Sequence, residues 1–312
     1  MLAVVEMWRE NKEGMKKKLK KTIVSELQGR NLWFQNPWWL AAMFPALAIM
    51  VFFFIVPLVL LLFLGFMEFQ KGQIIYHFSL DNYCRFFFDK FYLLILCRTF
   101  VTAGVVTFLC IVLGYPIAYS LARYESRFKG LLILLVVAPL LIGGVVRGYG
   151  WLLLLGERGV VNSALIQLNV LEHPIEFLYT LKGLIIGMVE VLLPFFILPL
   201  IGVIKNVDPF LERAARSIGA NAFQAFTQVT LPLTLGGIIA GGSIVFSLAA
   251  SIFVIPRILG GPAYLLLSTL TYQQIQTSGN WPFGCAIATL MLILTGMILL
   301  ISNKILTPLI KI

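Results

Sequence analysis

Six long apolar runs, separated by shorter polar stretches, set the pattern of this 312-residue chain. A helix that crosses the hydrocarbon core of a bilayer needs about 20 apolar residues, and each run is near or above that length. The runs are continuously apolar and not alternating, which favours helices over the strands of a barrel. We therefore predict an all-α integral membrane protein with six transmembrane helices, over residues 38–67, 92–122, 131–155, 183–204, 233–255 and 283–301.

Composition favours one membrane bundle over the two soluble domains that the length would allow. Hydrophobic residues make up 60% of the chain and charged residues 12%, whereas about a quarter of a soluble domain is charged. The predicted organisation is a basic tail, residues 1–37, followed by a transmembrane domain, residues 38–312.

Lysines and arginines are distributed unevenly between the predicted loops. Sixteen lie in the two terminal segments and in the loops after runs two and four, whereas the opposite loops hold five. Basic loops stay in the cytoplasm, so both termini are predicted to be cytoplasmic. The net charge of +10 is interpreted as topology and contact with anionic lipid, and not as nucleic-acid binding.

Eight of these basic residues lie in the tail, and their spread is too long for a signal peptide. Within the tail, the segment MKKKLKKTI (15–23) either lies on the membrane surface as an amphipathic helix or is a disordered anchor.

Recognisable catalytic chemistry is missing from the sequence. The dipeptide Gly-Lys does not occur, so the chain has no P-loop, and it has no GxSxG, HExxH or GxGxxG motif. The four scattered cysteines and two loop histidines indicate neither a metal site nor a disulfide framework. A six-helix protein of this kind is a passive channel, an assembly partner, or a transporter subunit powered by another protein.

One polar, helix-forming segment stands between the fourth and fifth runs, at residues 206–232. Asp208 suits an N-cap, the proline after it suits the first helical position, and Gly219 suits a helix stop. Asn221 is positioned to cap a second helix, and Pro232 to open the fifth span. Between Asp208 and Gly219 an apolar stripe recurs at helical spacing, at Leu211, Ala214, Ala215 and Ile218, with Glu212, Arg213 and Arg216 around it.

A short helix is marginal in water and must pack on something. It packs on the ends of its own membrane helices, on another protein, or on both.

At this loop the sequence resembles the membrane permeases of bacterial ABC importers. Their signature has two alanines, a glycine four residues later and a distal Leu-Pro, which are matched here by Ala214, Ala215, Gly219, Leu231 and Pro232. The signature glutamate normally precedes the two alanines directly. Arg213 takes that position, and the glutamate stands one residue earlier, about 100° around the helix.

The resemblance extends from about residue 79 to the carboxyl terminus. Segments such as LGYPIAYSLAR (113–123), VVRGYGW (145–151) and VIPRILGGP (254–262) resemble the subgroup of permeases for spermidine and putrescine. This implies the type I permease fold in the inner membrane of a bacterium, with polyamines or a similar small organic solute as substrate.

The resemblance also implies partners and a mechanism. Members pair with a second permease, take solute from an extracytoplasmic binding protein, and sit on two ATPase subunits that bind ATP and Mg²⁺, so this chain is expected to bind no cofactor itself. The loop helix, called the coupling helix, docks on an ATPase and drives alternating access. Its expected contact residues are Asp208, Glu212, Arg213, Ala214, Ala215, Arg216, Gly219 and Ala220.

Charged residues within the predicted membrane runs are few and need a reason, because each costs at least about 2.5 kcal/mol near the bilayer centre. Arg98 and Arg257 are predicted to reach the outer ends. The third run is interrupted by a proline and several glycines, and Arg147 follows them. Glu190, in the fourth run, either pairs with Arg147 or faces a cationic solute. The candidate pathway or gate residues are Arg147, Tyr149, Trp151 and Glu190.

Two other functional classes compete with the permease. A secondary transporter or channel would be favoured by an inverted repeat or by ion ligands at mid-membrane, and an intramembrane enzyme by a nucleophile–base pair or a metal triad. The sequence displays none of these features.

Overall fold

The computed structural model describes residues 38–124 and 127–306, with the backbone alone for residues 38–42, 303, 305 and 306. The predictions for the basic tail lie outside the described residues. Five helices are long and apolar enough to cross a membrane, and a sixth crossing is made if one sharply bent pair counts as a single span. The described part of the chain thus agrees with the predicted helical membrane protein.

In chain order the described elements are α1 (Trp38–Gly65), β1 (Met67–Gln70), β2 (Gln73–Phe78), α2 (Asp81–Phe88), α3 (Lys90–Arg123), α4 (Lys129–Val137), a 3-10 turn (Ala138–Leu141), α5 (Gly144–Leu155), α6 (Val160–Gln167), α7 (Leu181–Asn206), α8 (Pro209–Ser217), α9 (Ala222–Ala225), a π-helical segment (Phe226–Thr230), α10 (Leu231–Ser251), a second π segment (Pro256–Gly260), α11 (Leu267–Tyr272), a third π segment (Gln273–Thr277) and α12 (Trp281–Leu306).

The chain divides into two compact units, and the boundary falls within α1, after Leu60. The described part of the first unit is the apolar helix from Trp38 onward. The second unit, from Leu61, holds the remaining elements and both candidate sites.

The main core of the second unit forms where α3, α7 and α10 pack together. Lipid tails are as apolar as these helices, so close packing, and not apolar burial, must hold them together. Glycines allow the helices to pack this closely. A Cβ on Gly237 would lie 2.9 Å from the Val203 side chain, and one on Gly187 only 2.4 Å from Leu259 Cδ1, so neither position has room for a side chain. Gly187 and Gly237 therefore serve packing within one chain.

The third apolar run forms two helices with a break between them, as its proline and glycines predicted, and we call this bent pair the broken span. After α4 and the 3-10 turn, Ile142 and Gly143 are extended, and the helical axis turns by 102°. Pro139 lies in the first turn of the 3-10 segment. It cannot donate a backbone hydrogen bond and so weakens the helix at that point.

The loop before the fifth span differs from the prediction in one respect. Asn221 does cap a new helix, but this helix does not stop before Pro232 and continues from Ala222 to Ser251 as one membrane-length helix. A π-helical segment, Phe226–Thr230, precedes the proline and ends with Leu231 N–H bonded to Phe226 O. The wider turn accommodates a proline that would clash with a carbonyl of a regular α-helix.

At the end of the bundle away from this loop, residues treated as a simple loop in the sequence form a β-hairpin. β1 and β2 pair antiparallel through Lys71 and Gly72, whose φ angles of 50° and 80° are both positive. Two such residues match the right-handed twist of paired strands. A second small core, around Phe86, Tyr92 and Phe283, lies beside the hairpin.

Candidate functional sites

Local sequence signals set both ends of the loop helix α8. Asp208 Oδ1 accepts a hydrogen bond from Phe210 N at 2.8 Å, and Pro209 occupies the first turn, where a missing N–H costs nothing. The helix stops before Gly219, whose φ of +100° is one that residues with a Cβ rarely adopt. The predicted helix and its break are confirmed.

Glu212 of this helix is buried against the membrane helices. Its Oε1 lies 3.1 Å from Arg123 Nη2 and accepts a hydrogen bond from Thr230 Oγ1, while Oε2 accepts one from Tyr119 Oη at 3.0 Å. Arg123 also donates to Val207 O at 2.8 Å. These contacts, called the anchor below, fix α8 to the end of α3 and to the start of the fifth span.

The anchor keeps Glu212 ionised. Burial by itself raises the pKa of the Glu212 carboxyl. The hydrogen bonds from Thr230 and Tyr119, together with the charge and hydrogen bond of Arg123, outweigh that effect and hold the pKa below its usual value.

The outward side of the loop is apolar and cationic. Ile218 is 89% exposed, and Phe210, Leu211 and Phe223 are also exposed. The predicted apolar stripe is therefore not the buried face, because Glu212 turns toward the bundle and carries Leu211 and Ile218 outward. We call the exposed set the loop face; it comprises Phe210, Leu211, Arg213, Arg216, Ile218 and Phe223.

The remaining predicted contact residues border the loop face. Asp208, exposed, caps the helix, and Gly219 is exposed beyond its end. The three alanines of the prediction, Ala214, Ala215 and Ala220, are half-buried.

A second cluster, called the membrane ion pair below, lies within the bundle. Arg147 Nη2 is 2.8 Å from Glu190 Oε1, and Trp151 Nε1 donates to Glu190 Oε2 at 3.1 Å. Arg147 Nη1 donates to Pro139 O at 3.2 Å. The guanidinium thus links both sides of the break in the third span to the fourth span.

The Glu190 carboxylate borders a cavity of about 480 Å³, a size typical of small-molecule sites. Its other walls are almost entirely apolar and come from α3, the broken span and α7. Tyr149, predicted with this group, stays outside the cluster and is exposed. Residues lining the cavity include Leu109, Leu113, Val136, Pro139, Trp151, Ile186, Val189 and Leu193.

The two other arginines of the membrane runs pair with aromatic rings. The Arg98 guanidinium lies 5.4 Å from the centre of the Tyr264 ring and that of Arg257 lies 5.6 Å from the centre of the Tyr272 ring. Such contacts stabilise a cation outside bulk water.

Sequence reasoning missed the partners of Glu212. Tyr119 and Arg123 lie one helical turn apart at the end of a predicted span, where the sequence analysis counted only the charge of Arg123. Their four-residue spacing, which places two side chains on one helix face, was the available signal. Nothing in the sequence linked either residue to a glutamate about 90 positions away.

No family model matches the chain, but comparison with curated proteins gives transport-system permeases as relatives. The spermidine/putrescine transport system permease protein PotB of Haemophilus influenzae is 36% identical over 262 residues, 82% of this chain and 91% of that protein. PotB of Escherichia coli is 36% identical over 224 residues, 72% of this chain and 81% of that one. The inner membrane ABC transporter permease protein YdcU of Escherichia coli is 32% identical over 66% of this chain and 69% of its own length.

Solved structures give the same fold. A chain of the bacterial alginate ABC transporter, in complex with an alginate pentasaccharide-bound periplasmic protein, superimposes with a TM-score of 0.74 at 19% identity. The match covers 89% of this chain and 96% of that one. A chain of the inward-facing MetNI methionine ABC transporter gives a TM-score of 0.52 at 17% identity, over 68% of this chain and 93% of its own.

Proposed function

This chain belongs to the family of ABC transporter permeases that includes the PotB proteins, and on that premise we propose that it carries polyamines, or a similar small organic solute, across the bacterial inner membrane. The PotB relatives are permeases of spermidine/putrescine transport systems. In the proposal, the chain forms part of the solute pathway and does not hydrolyse ATP itself. Two partner subunits bind ATP and Mg²⁺ and supply the energy.

The loop face is the surface that we assign to an ATPase subunit. It projects apolar side chains, above all Ile218, and two exposed arginines, a combination of the kind found at protein interfaces. The single observation that carries this proposal is the buried carboxylate of Glu212, because it holds a short helix rigidly on the bundle while leaving the loop face free to dock.

Motion of a docked ATPase would pass through the anchor. Glu212 is bonded to Arg123 and Tyr119 at the end of α3, and to Thr230 at the start of the fifth span. A displacement of α8 therefore pulls on two membrane helices together. Packed bundles respond to such a pull by rigid-body movement, which is the motion that alternating access requires.

The arrangement around the permease completes the proposal. In the proposal, the loop face lies on the cytoplasmic side, which is the side that the distribution of basic residues predicts for both termini. A second, homologous permease completes the pathway, and an extracytoplasmic binding protein delivers the solute from the other side.

The test uses the intact complex reconstituted in proteoliposomes with the binding protein. We expect putrescine or spermidine to stimulate ATP hydrolysis and to accumulate inside. Stimulation by a different solute alone would overturn the polyamine assignment. Accumulation by this chain in liposomes without ATPase subunits would instead favour a secondary transporter or channel.

A further inference from the structure

We propose that Glu190 binds an ammonium group of the transported solute, and that Arg147 is the internal cation that occupies this carboxylate when no solute is bound. The inference rests on the proposed polyamine transport and names the residues of this chain that would recognise the solute. It makes the membrane ion pair an exchangeable contact rather than a permanent structural one.

The first observation is the rarity of negative charge in the bundle. Among the described residues of the membrane-length helices and of α4, the 3-10 turn and α5, Glu190 is the only aspartate or glutamate. An organic cation that passes this part of the bundle can therefore meet only one carboxylate of this chain. An ionisable residue at membrane depth is costly and is by default a candidate for function.

The second observation is the loose hold of Arg147. Its side chain is only 8% exposed, yet Nε and Nη2 form no hydrogen bond within the described residues. The 2.8 Å contact to Glu190 brings the charges together but lacks the alignment of a hydrogen bond. Structural arginine–carboxylate pairs are frequently bidentate, and a buried guanidinium with so few partners is incompletely satisfied.

The third observation is that Glu190 is accessible where Arg147 is not. The Glu190 side chain is 31% exposed and forms a polar point on the wall of the 480 Å³ cavity. An ammonium entering from the cavity can reach the carboxylate without first unfolding anything. The indole of Trp151, already bonded to Glu190, offers a π-face to such a cation.

The apolar walls fit the rest of a polyamine. Leu109, Leu113, Ile186 and Leu193 line the cavity and would contact the methylene chain between ammonium groups. A site with one charged point and an otherwise apolar lining suits an organic cation better than a hydrated metal ion, which prefers several oxygen ligands.

Exchange would also act on the shape of the bundle. Arg147 is bonded to Pro139 O, on the other side of the break at residues 142 and 143. Displacing its guanidinium from Glu190 removes the link between Pro139 O and α7, and leaves the bond from Trp151 as the polar contact of the broken span with that carboxylate. Solute binding would thereby favour a different arrangement of that span, since a ligand shifts the balance toward the state it binds better.

The experiment measures equilibrium binding of radiolabelled putrescine to the intact complex in nanodiscs, without the binding protein. We expect Glu190→Gln to weaken binding at least tenfold and Arg147→Gln to strengthen it several-fold, because the carboxylate is then free. Unlabelled putrescine should compete, whereas 1,4-butanediol, of equal length and uncharged, should not. The matched control is Glu157→Gln, the same substitution at an exposed residue, which should bind like the wild type.

The double variant Arg147→Gln/Glu190→Gln separates exchange from a structural role. It leaves no buried charge unpaired, so it also serves if a single variant fails to assemble. The exchange model predicts binding as weak as in Glu190→Gln. Wild-type binding by the double variant would overturn the inference.

The wild-type complex distinguishes a failure of the role proposed for Glu190 from a failure of the proposed polyamine substrate. If wild-type proteoliposomes take up polyamine while Glu190→Gln or the double variant binds it normally, only the role of Glu190 fails. If the wild type neither binds nor transports polyamine, the proposed substrate fails.

Discussion

Arg123 Nη2 lies 3.1 Å from Glu212 Oε1 although 89 residues separate them in the chain. Both side chains are largely buried, with 13% and 12% exposed. Leaving either charge without its partner would cost the bundle about 1–3 kcal/mol. The pair therefore makes the loop helix a rigid extension of the membrane bundle.

Replacing Glu212 should separate energy use from transport. Glu212→Gln removes the charge that Arg123 faces and weakens the bonds from Thr230 and Tyr119. We expect a lower Tm, by thermal unfolding in detergent, and more ATP hydrolysed per solute transported. The neighbouring, exposed Arg213→Gln is the control for Tm and should leave it unchanged. An unchanged Tm and coupling ratio in Glu212→Gln would refute the anchor.

The anchor should also make stability depend on pH in the acid range. The folded-state pKa of Glu212 is held below the ordinary value of 4.5, so the unfolded chain takes up the proton first as the pH falls. The stabilisation is complete above about pH 4.5 and is lost as the pH drops through the folded pKa. In thermal unfolding below pH 4.5, Glu212→Gln should lose less stability than the wild type; parallel curves would contradict this.

The loop face can be tested at its most exposed residue. Ile218→Asp should leave the Tm unchanged, because Ile218 is 89% exposed and surface changes usually alter stability by less than about 0.5 kcal/mol. A charge in the proposed interface should nevertheless reduce co-purification with the ATPase subunits and solute uptake. Ile218→Ala, which removes bulk without adding charge, should have the smaller effect. Full uptake by Ile218→Asp would count against docking through this surface.

Gly219 needs a different design. Gly219→Asp is expected to uncouple ATP use from uptake, but any side chain must also adopt a φ of +100°, which costs about 1–2 kcal/mol. Gly219→Ala carries the same backbone strain without the charge, and nothing lies within 4 Å of the added Cβ. We expect equal loss of Tm in both variants and the greater loss of uptake in the aspartate variant. Equal uptake would assign the effect to strain alone.

Alanine substitutions at two glycines of the fourth span distinguish the effect of packing on stability from the effect of helix propensity. A Cβ on Gly183 would lie 2.1 Å from Phe177 O, whereas one on Gly202, in the same helix, would meet nothing within 4 Å. Gly183→Ala should lower stability by about 1–3 kcal/mol through overpacking. Gly202→Ala should not lower it. Thermal unfolding of the two variants compares them directly, and equal Tm values would show that α7 is free to shift.

The sequence was sufficient for the features that local patterns determine. Apolar runs of membrane length predicted the long helices, Asp208 and Gly219 predicted the ends of α8, and Pro139 the broken span, because each depends on a few adjacent residues. The pairing of Arg147 with Glu190 was one of two alternatives that the sequence left open, and it was suggested by the cost of leaving either charge alone in a membrane.

The sequence could not show which face of α8 is buried, nor which residues far away in the chain contact it. The stripe containing Leu211 and Ile218 has the spacing of a buried face, yet it is exposed. The orientation is decided by Glu212, whose partners Tyr119 and Arg123 are remote in sequence. Helix periodicity describes the faces of a helix, but tertiary contacts select which face is buried.

Crosslinking from the loop helix tests the central claim most directly. Ser217, exposed at the end of α8, is changed to cysteine in a background without the four native cysteines, and the intact complex is treated with a short bifunctional thiol reagent that also reacts with amines. We predict a product with an ATPase subunit whose yield changes on addition of ATP. A matched Ser251→Cys variant, at the other end of the fifth span, should give no such product. Uptake-competent complexes in which Ser217→Cys never crosslinks to an ATPase subunit would contradict the account.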